Sequence, residues 1–183
     1  MSQGIALIAG LGNPGPEYAE TRHNAGFRFL EALRSGSGVK LRHDPRFSGD
    51  AGRLAIAGRE VWLLAPQTFM NHSGEAVAAF ARYYKIPPEQ ILVAHDDLDL
   101  LPGTVRLKVG GGDGGHNGLS DITQRLGTQE YARLRIGIGH PGDKNVVADY
   151  VLSSPPAPER ELIETVIARC LEHSPLLMAG DMR

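Results

Sequence analysis

Short apolar runs, each closed by glycine or proline and each followed by a stretch of helical periodicity, recur along this chain and dictate alternating strands and helices. Ile5 to Gly10 is the first such run and feeds the rigid loop Leu11-Gly12-Asn13-Pro14-Gly15-Pro16. Ala25, Phe29 and Leu33 then recur at helical spacing before Gly36, which predicts a helix from about His23 to Leu33. Arg53 to Ala57 and Glu60 to Ala65 flank Gly58-Arg59 as a hairpin. Ser73 is placed to cap a helix bearing Val77, Phe80, Ala81 and Tyr84, ended by Pro87-Pro88, and Ile91 to Ala94 forms another buried strand. Val105 to Val109 and Arg133 to Ile138 alternate apolar with basic residues, so two strands should each carry a basic face. Between them a helix bearing Leu119, Ile122 and Leu126 stops at Gly127, and after Pro155-Pro156 a last helix carries Leu162, Ile163, Val166, Ile167 and Cys170. No repeat or linker interrupts the pattern. The expected fold is α/β: one domain over residues 1–183, a three-layer sandwich with a mixed, mostly parallel sheet and helices on both faces.

A chain of 183 residues with 42% hydrophobic and 22% charged residues can bury a sizeable core and lacks the signature of disorder. Its formal charge of −2 supplies no overall field for a polyanion, so any nucleic-acid contact must use a local patch. Such a patch has suitable material: fifteen of the nineteen cations are arginine, the better bidentate partner for phosphate. The single Cys170 lies in an apolar helical pattern, which points to burial, and fits a reducing cytoplasm. The apolar run near Met1 is too short for a signal sequence or a membrane span, so a soluble protein is expected.

Several motifs offer chemistry. Gly10-Leu11-Gly12-Asn13-Pro14-Gly15 satisfies the dinucleotide fingerprint G-x-G-x-x-G, but Pro14 and Pro16 remove N–H donors that a pyrophosphate would need, so a tight turn ending a strand is the better reading. The glycine run Gly110 to Gly115 lacks the Gly-Lys-Ser/Thr ending of a P-loop; it is either a flexible connector or a substrate-contacting loop that delivers His116 and Asn117 to a helix. His95-Asp96-Asp97-Leu98-Asp99 follows a buried strand, where α/β sheets gather functional groups. With His23 and His116 it can supply metal ligands; alternatively one carboxylate holds a histidine in the tautomer a general base requires. There is no G-x-S-x-G elbow and Cys170 is misplaced for attack, which leaves water as the nucleophile. Asn13, Asn71 and Asn117 sit in loop-like contexts, where a neutral amide can serve a carbonyl, a hydroxyl or a water.

Taken in order, Leu11 to Gly15, Tyr18, Thr21-Arg22-His23-Asn24, Thr68 to Gly74, His95 to Leu100, Gly110 to Leu119 and Arg133 to Gly139 resemble the signatures of bacterial peptidyl-tRNA hydrolase, from about Ile5 to Leu152. The resemblance implies hydrolysis of the ester between an N-blocked peptide and tRNA, without metal or cofactor. It implies that His23 is the general base, that Asp96 orients and stabilises it, and that Asn13 senses the blocked amino end. It further implies that Tyr18, Phe69, Asn71 and Asn117 bind the tRNA-linked peptide at the 3′ CCA end, with Met70 and His116 as pocket neighbours, and that Lys108 and Arg135 clamp the tRNA 5′-phosphate. A cytoplasmic monomer is expected. Leu101 departs from a common proline, and the tail Met178 to Arg183 is short and weakly basic, so tail-assisted tRNA binding should be weak. Two rivals remain: a metal-dependent phosphoesterase using His23, His95, Asp96 and His116, and a non-catalytic RNA-binding module on Arg106, Lys108, Arg133 and Arg135.

Overall fold

The computed structural model of the chain describes residues 4–56 and 58–173. The tail Met178 to Arg183 lies outside the described residues. Seven strands form one sheet: β1 (Leu7–Gly10), β2 (Arg42–Asp44), β3 (Gly49–Ile56), β4 (Arg59–Pro66), β5 (Ile91–Asp97), β6 (Val105–Val109) and β7 (Ala132–Gly137), in the order β2-β3-β4-β1-β5-β7-β6. The centre of the sheet is parallel, with β4, β1, β5 and β7 running together. Its edges are antiparallel: β3 pairs with β2 and β4, and β6 pairs with β7. The expected hairpin is therefore β3–β4, with Leu54 opposite Val61.

Among the described residues five α-helices cover the sheet: α1 (Ala25–Ser37), α2 (Ser73–Tyr83), α3 (Asn117–Leu126), α4 (Val147–Val151) and α5 (Ala157–Glu172). Successive residues of a strand face opposite ways, so β1 and the apolar stretches of β4 and β5 feed two cores, while β7 turns Leu134 and Ile136 into one of them. Ile8, Leu63, Leu92 and Leu134 pack with Phe29 and Leu30 of α1 and Ile163 and Ile167 of α5. Leu7, Leu64, Ile91 and Val93 pack on the other face with Val77 and Phe80 of α2 and Leu119 and Ile122 of α3. These two cores are the interfaces of the three-layer sandwich.

Local chemistry moves several boundaries. The residues Arg22–Asn24 form a 3-10 turn and α1 begins only at Ala25, because the Asn24 side chain bonds the backbone of Asn13. Ser73 is not a cap: it lies inside the first turn of α2, and its hydroxyl donates to the Met70 carbonyl at 2.7 Å. Gly127 ends α3 in the left-handed conformation at φ 76°, as a C-terminal glycine should. Leu162 is exposed on α5, since Ile163 and Ile167 occupy the buried stripe, and Cys170 is only half-buried. Burial still pushes the Cys170 thiol up to about 11.

At Gly26 a side chain has no room: a Cβ would lie 2.4 Å from both the Ala94 carbonyl oxygen and the Leu11 nitrogen. This close approach seats the start of α1 on the carboxyl ends of β1 and β5. The site is built there.

Candidate active site

Three elements converge at the carboxyl ends of the parallel strands: the 3-10 turn holding His23, the end of β5 holding Asp96, and the N-terminus of α3 preceded by His116. Asp96 sits between the two imidazoles. His23 Nδ1–H donates to its carboxylate at 2.9 and 3.0 Å, and His116 Nε2–H donates to Oδ1 at 2.8 Å. The tautomer of His116 is fixed from its other side, where Nδ1 accepts the N–H groups of Gly118 and Leu119 and caps α3. The tautomer of His23 follows from Asp96: with the proton on Nδ1, Nε2 carries the lone pair.

Electrostatics agrees with this assignment. Burial alone would push the His23 imidazole down, but the charge of Asp96 and its hydrogen bond outweigh burial and raise it above the usual imidazole value of 6.5. Burial would also raise Asp96, yet the two imidazoles hold its carboxyl well below the usual range. Neighbouring His95 behaves differently. Fully buried, and beside the His116 imidazole, it is pushed down to about 4, chiefly by burial, while its Nδ1–H donates to the Asp96 carbonyl at 2.7 Å.

His23, Asp96 and His116 are, among the described residues, a group with donor atoms spaced closely enough for a metal ion. Their hydrogen bonding suits a different purpose, because Nε2 of His116 carries a proton and both Asp96 oxygens already accept N–H groups. His95 stands outside that group.

A cavity of about 150 Å³ opens beside this cluster, lined by His23, Asp96, His116 and Asn117 together with Val147, Ala148 and Val151 of α4. Asn13 joins the cluster through two clasps. Its backbone N–H and carbonyl pair with the Asn24 amide at 2.8 and 3.0 Å, and its own Oδ1 accepts the Met70 N–H at 2.7 Å. Since Oδ1 is taken, Asn13 presents its NH₂ end as the free donor. Met70 is buried, with its sulfur against Gly118, so the 3-10 turn before α2 meets the start of α3. Asn71, which follows Met70, is exposed, as is Asn117, and of Asn13, Asn71 and Asn117 the last lines the cavity. Tyr18 and Phe69 meet edge to face at 6.2 Å, with Phe69 58% exposed and thus available to a partner.

A second cavity, of about 180 Å³, adjoins the first, sharing His95, Asp97, Asp113 and Gly114 with it, and is bordered as well by Lys108, Arg133 and Arg135. The antiparallel register sets Arg106 opposite Arg135 and Lys108 opposite Arg133, so the basic faces expected of these strands are one face. Arg133 does not present its charge there. It is buried, and its guanidinium donates to the carbonyls of Gly111, Gly112 and Gln129. The glycine run is thus anchored by a side chain. Arg135 Nε–H donates to Asp97 at 2.7 Å, while Lys108 is exposed.

A family model described as peptidyl-tRNA hydrolase matches residues 7–183. The chain belongs to the peptidyl-tRNA hydrolase family. This family member is 52% identical over 180 residues to the peptidyl-tRNA hydrolase of Neisseria meningitidis serogroup C, covering 98% of this chain and 94% of that protein. It is 56% identical over 174 residues to that of Psychromonas ingrahamii, covering 93% and 88%. The crystal structure of peptidyl-tRNA hydrolase from Acinetobacter baumannii matches the fold with a TM-score of 0.94 at 52% identity, covering 98% of this chain and 91% of that one. No helix among the described residues of this hydrolase is long and apolar enough to cross a membrane.

Residue patterns do not foretell three features of the site: the Asn24 clasp, the second imidazole on Asp96 and the α4 wall. Asn24 belongs to the motif Thr21-Arg22-His23-Asn24, so a local signal exists for it. The α4 wall has none, because Val147 to Val151 is a short run in a polar stretch.

Proposed function

We propose that the chain hydrolyses the ester joining an N-blocked peptide to the 3′-terminal ribose of tRNA, with His23 activating water and Asp96 orienting and stabilising the imidazole. The pairing of His23 Nδ1 with Asp96 at 2.9 Å carries this reading, since it reserves Nε2 for a proton from water. The water oxygen attacks the ester carbonyl as Nε2 takes its proton. The bond to the ribose oxygen then breaks, that oxygen receives the proton from the imidazolium, and the peptide leaves as a carboxylic acid that gives up the second proton of the water to solvent. No acyl-enzyme or cofactor is needed. Neutral amides at Asn71 and Asn117 are suited to the developing oxyanion, a contribution of roughly 3 kcal/mol per donor in comparable sites.

The donor end of Asn13 suits the carbonyl of a blocked amino group. A free ammonium would meet another donor and lose its hydration without compensation, which supports selection for N-blocked substrates. Tyr18 and Phe69 offer ring faces to the 3′ CCA end, and Met70 and His116 shape the pocket. Lys108 and Arg135 border the second cavity as a clamp for the tRNA 5′-phosphate. The protein acts in this reading as a cytoplasmic monomer, one domain over residues 1–183, with peptidyl-tRNA as its partner.

The test is incubation with N-acetylated aminoacyl-tRNA and its unblocked counterpart, with and without His23→Ala. Release of free tRNA from the blocked substrate alone, abolished by His23→Ala, is the expected result. Equal turnover of both substrates, or full activity of the variant, contradicts it.

A further inference from the structure

One residue that the reaction itself does not use ties the α4 wall to the turn carrying His23. Residues 140–154 are mostly exposed, with Val151 as their buried hydrophobic anchor and Val147 and Tyr150 packed more shallowly against the same core. The segment has polar attachments as well. Tyr150 donates its hydroxyl to the Ile138 carbonyl at 2.7 Å, and the far end of α4 is held by Arg22, the residue directly before His23. Arg22 is buried at 7% exposure and engages this segment in three ways. Its backbone N–H donates to the Ser153 carbonyl at 3.0 Å. Its guanidinium donates to the Tyr150 carbonyl at 3.1 Å and to the Ser153 hydroxyl. The same group stacks over the Tyr150 ring, with Cζ 3.8 Å from the centroid. A cation at the carboxyl end of a helix also meets the negative end of its dipole.

We propose that Arg22 is a positioning residue, which fixes the α4 wall against the turn carrying His23 and thereby sets how tightly substrate is held and not how water is activated. Val147, Ala148 and Val151 line the same cavity as His23 and Asp96, so the shape of the cleft depends on how the two parts Arg22 joins are set against each other. The bonds of Arg22 go to α4 and Ser153, whereas Asp96 holds the His23 ring. Wall and base are therefore separately supported. This inference rests on the proposed hydrolysis of peptidyl-tRNA.

The experiment measures kcat and KM on N-acetylated aminoacyl-tRNA, across pH, for the unaltered protein, Arg22→Gln and Arg22→Lys. Arg22→Gln should raise KM about tenfold, the scale expected when a charge-assisted hydrogen bond is removed. The pH midpoint should stay in place, and Arg22→Lys should recover part of the deficit. A second variant approaches the clasp from its other side: Tyr150→Leu with Ser153→Ala keeps Arg22 and should raise KM in the same direction, even where Arg22→Gln does not fold. An unchanged KM in the folded variants, or a shifted pH midpoint, overturns the role of Arg22. Absence of turnover by the unaltered protein would instead overturn the hydrolase reading on which it rests.

Discussion

Asp96 and Asp97 are adjacent at the end of β5, yet they support opposite kinds of site. The Asp96 side chain is 2% exposed and accepts from the imidazoles of His23 and His116. The Asp97 side chain is 13% exposed and pairs with Arg135, whose guanidinium keeps its charge throughout. One step along a strand thus turns a carboxylate from the partner of two imidazoles into the partner of a guanidinium beside a basic cavity. In the proposed function the first serves the chemistry and the second the recognition of tRNA, so disturbing each should have different consequences.

The largest expected effect lies on the chemical side. His23→Ala should lower kcat/KM about a thousandfold, within the range for a positioned general base, while tRNA affinity measured by titration stays near that of the unaltered protein. Asp96→Asn comes next. It should cost about a hundredfold and lower the pH midpoint, because burial would then act on His23 without the opposing charge. Asp97→Asn provides the contrast: kcat and the midpoint should hold, and an equal displacement of the midpoint by both changes would break the comparison.

Specificity is the next tier. Asn13→Asp keeps an acceptor for the Met70 N–H and turns a second oxygen toward the pocket, so the preference for blocked over unblocked aminoacyl-tRNA should narrow about tenfold in paired kcat/KM assays. On the recognition side, Lys108→Ala should weaken tRNA binding several-fold and reduce the slope of log affinity against log salt by about one. A salt slope that does not move would remove Lys108 from the clamp.

The reach of sequence reading follows the range of the forces involved. Strands β1 and β5 are legible because a run apolar on both faces can only be covered on both faces, β7 because its apolar residues alternate with basic ones, and Gly127 stops α3 where a left-handed residue is needed. Edge strand β2 is not, since Arg42, His43 and Asp44 are polar and owe their conformation to pairing with β3. Period alone assigns Arg133 to a basic face, but its burial depends on carbonyls of a loop some twenty residues away. In the site, family motifs identify His23 and Asp96 as partners. The second imidazole comes from the capping geometry of α3, which turns His116 Nε2 toward a strand residue that precedes it by 20 positions. Arg22 and α4 lie 128 residues apart at their hydrogen bond, and no local pattern connects them.

The most direct test of the central assignment is the pH dependence of kcat/KM for N-acetylated aminoacyl-tRNA hydrolysis. A base must be neutral to act, so activity should rise with pH through a single midpoint above the usual imidazole value of 6.5, the direction in which Asp96 moves His23. A profile flat from about pH 5 to 8 would contradict His23 as the residue that activates water.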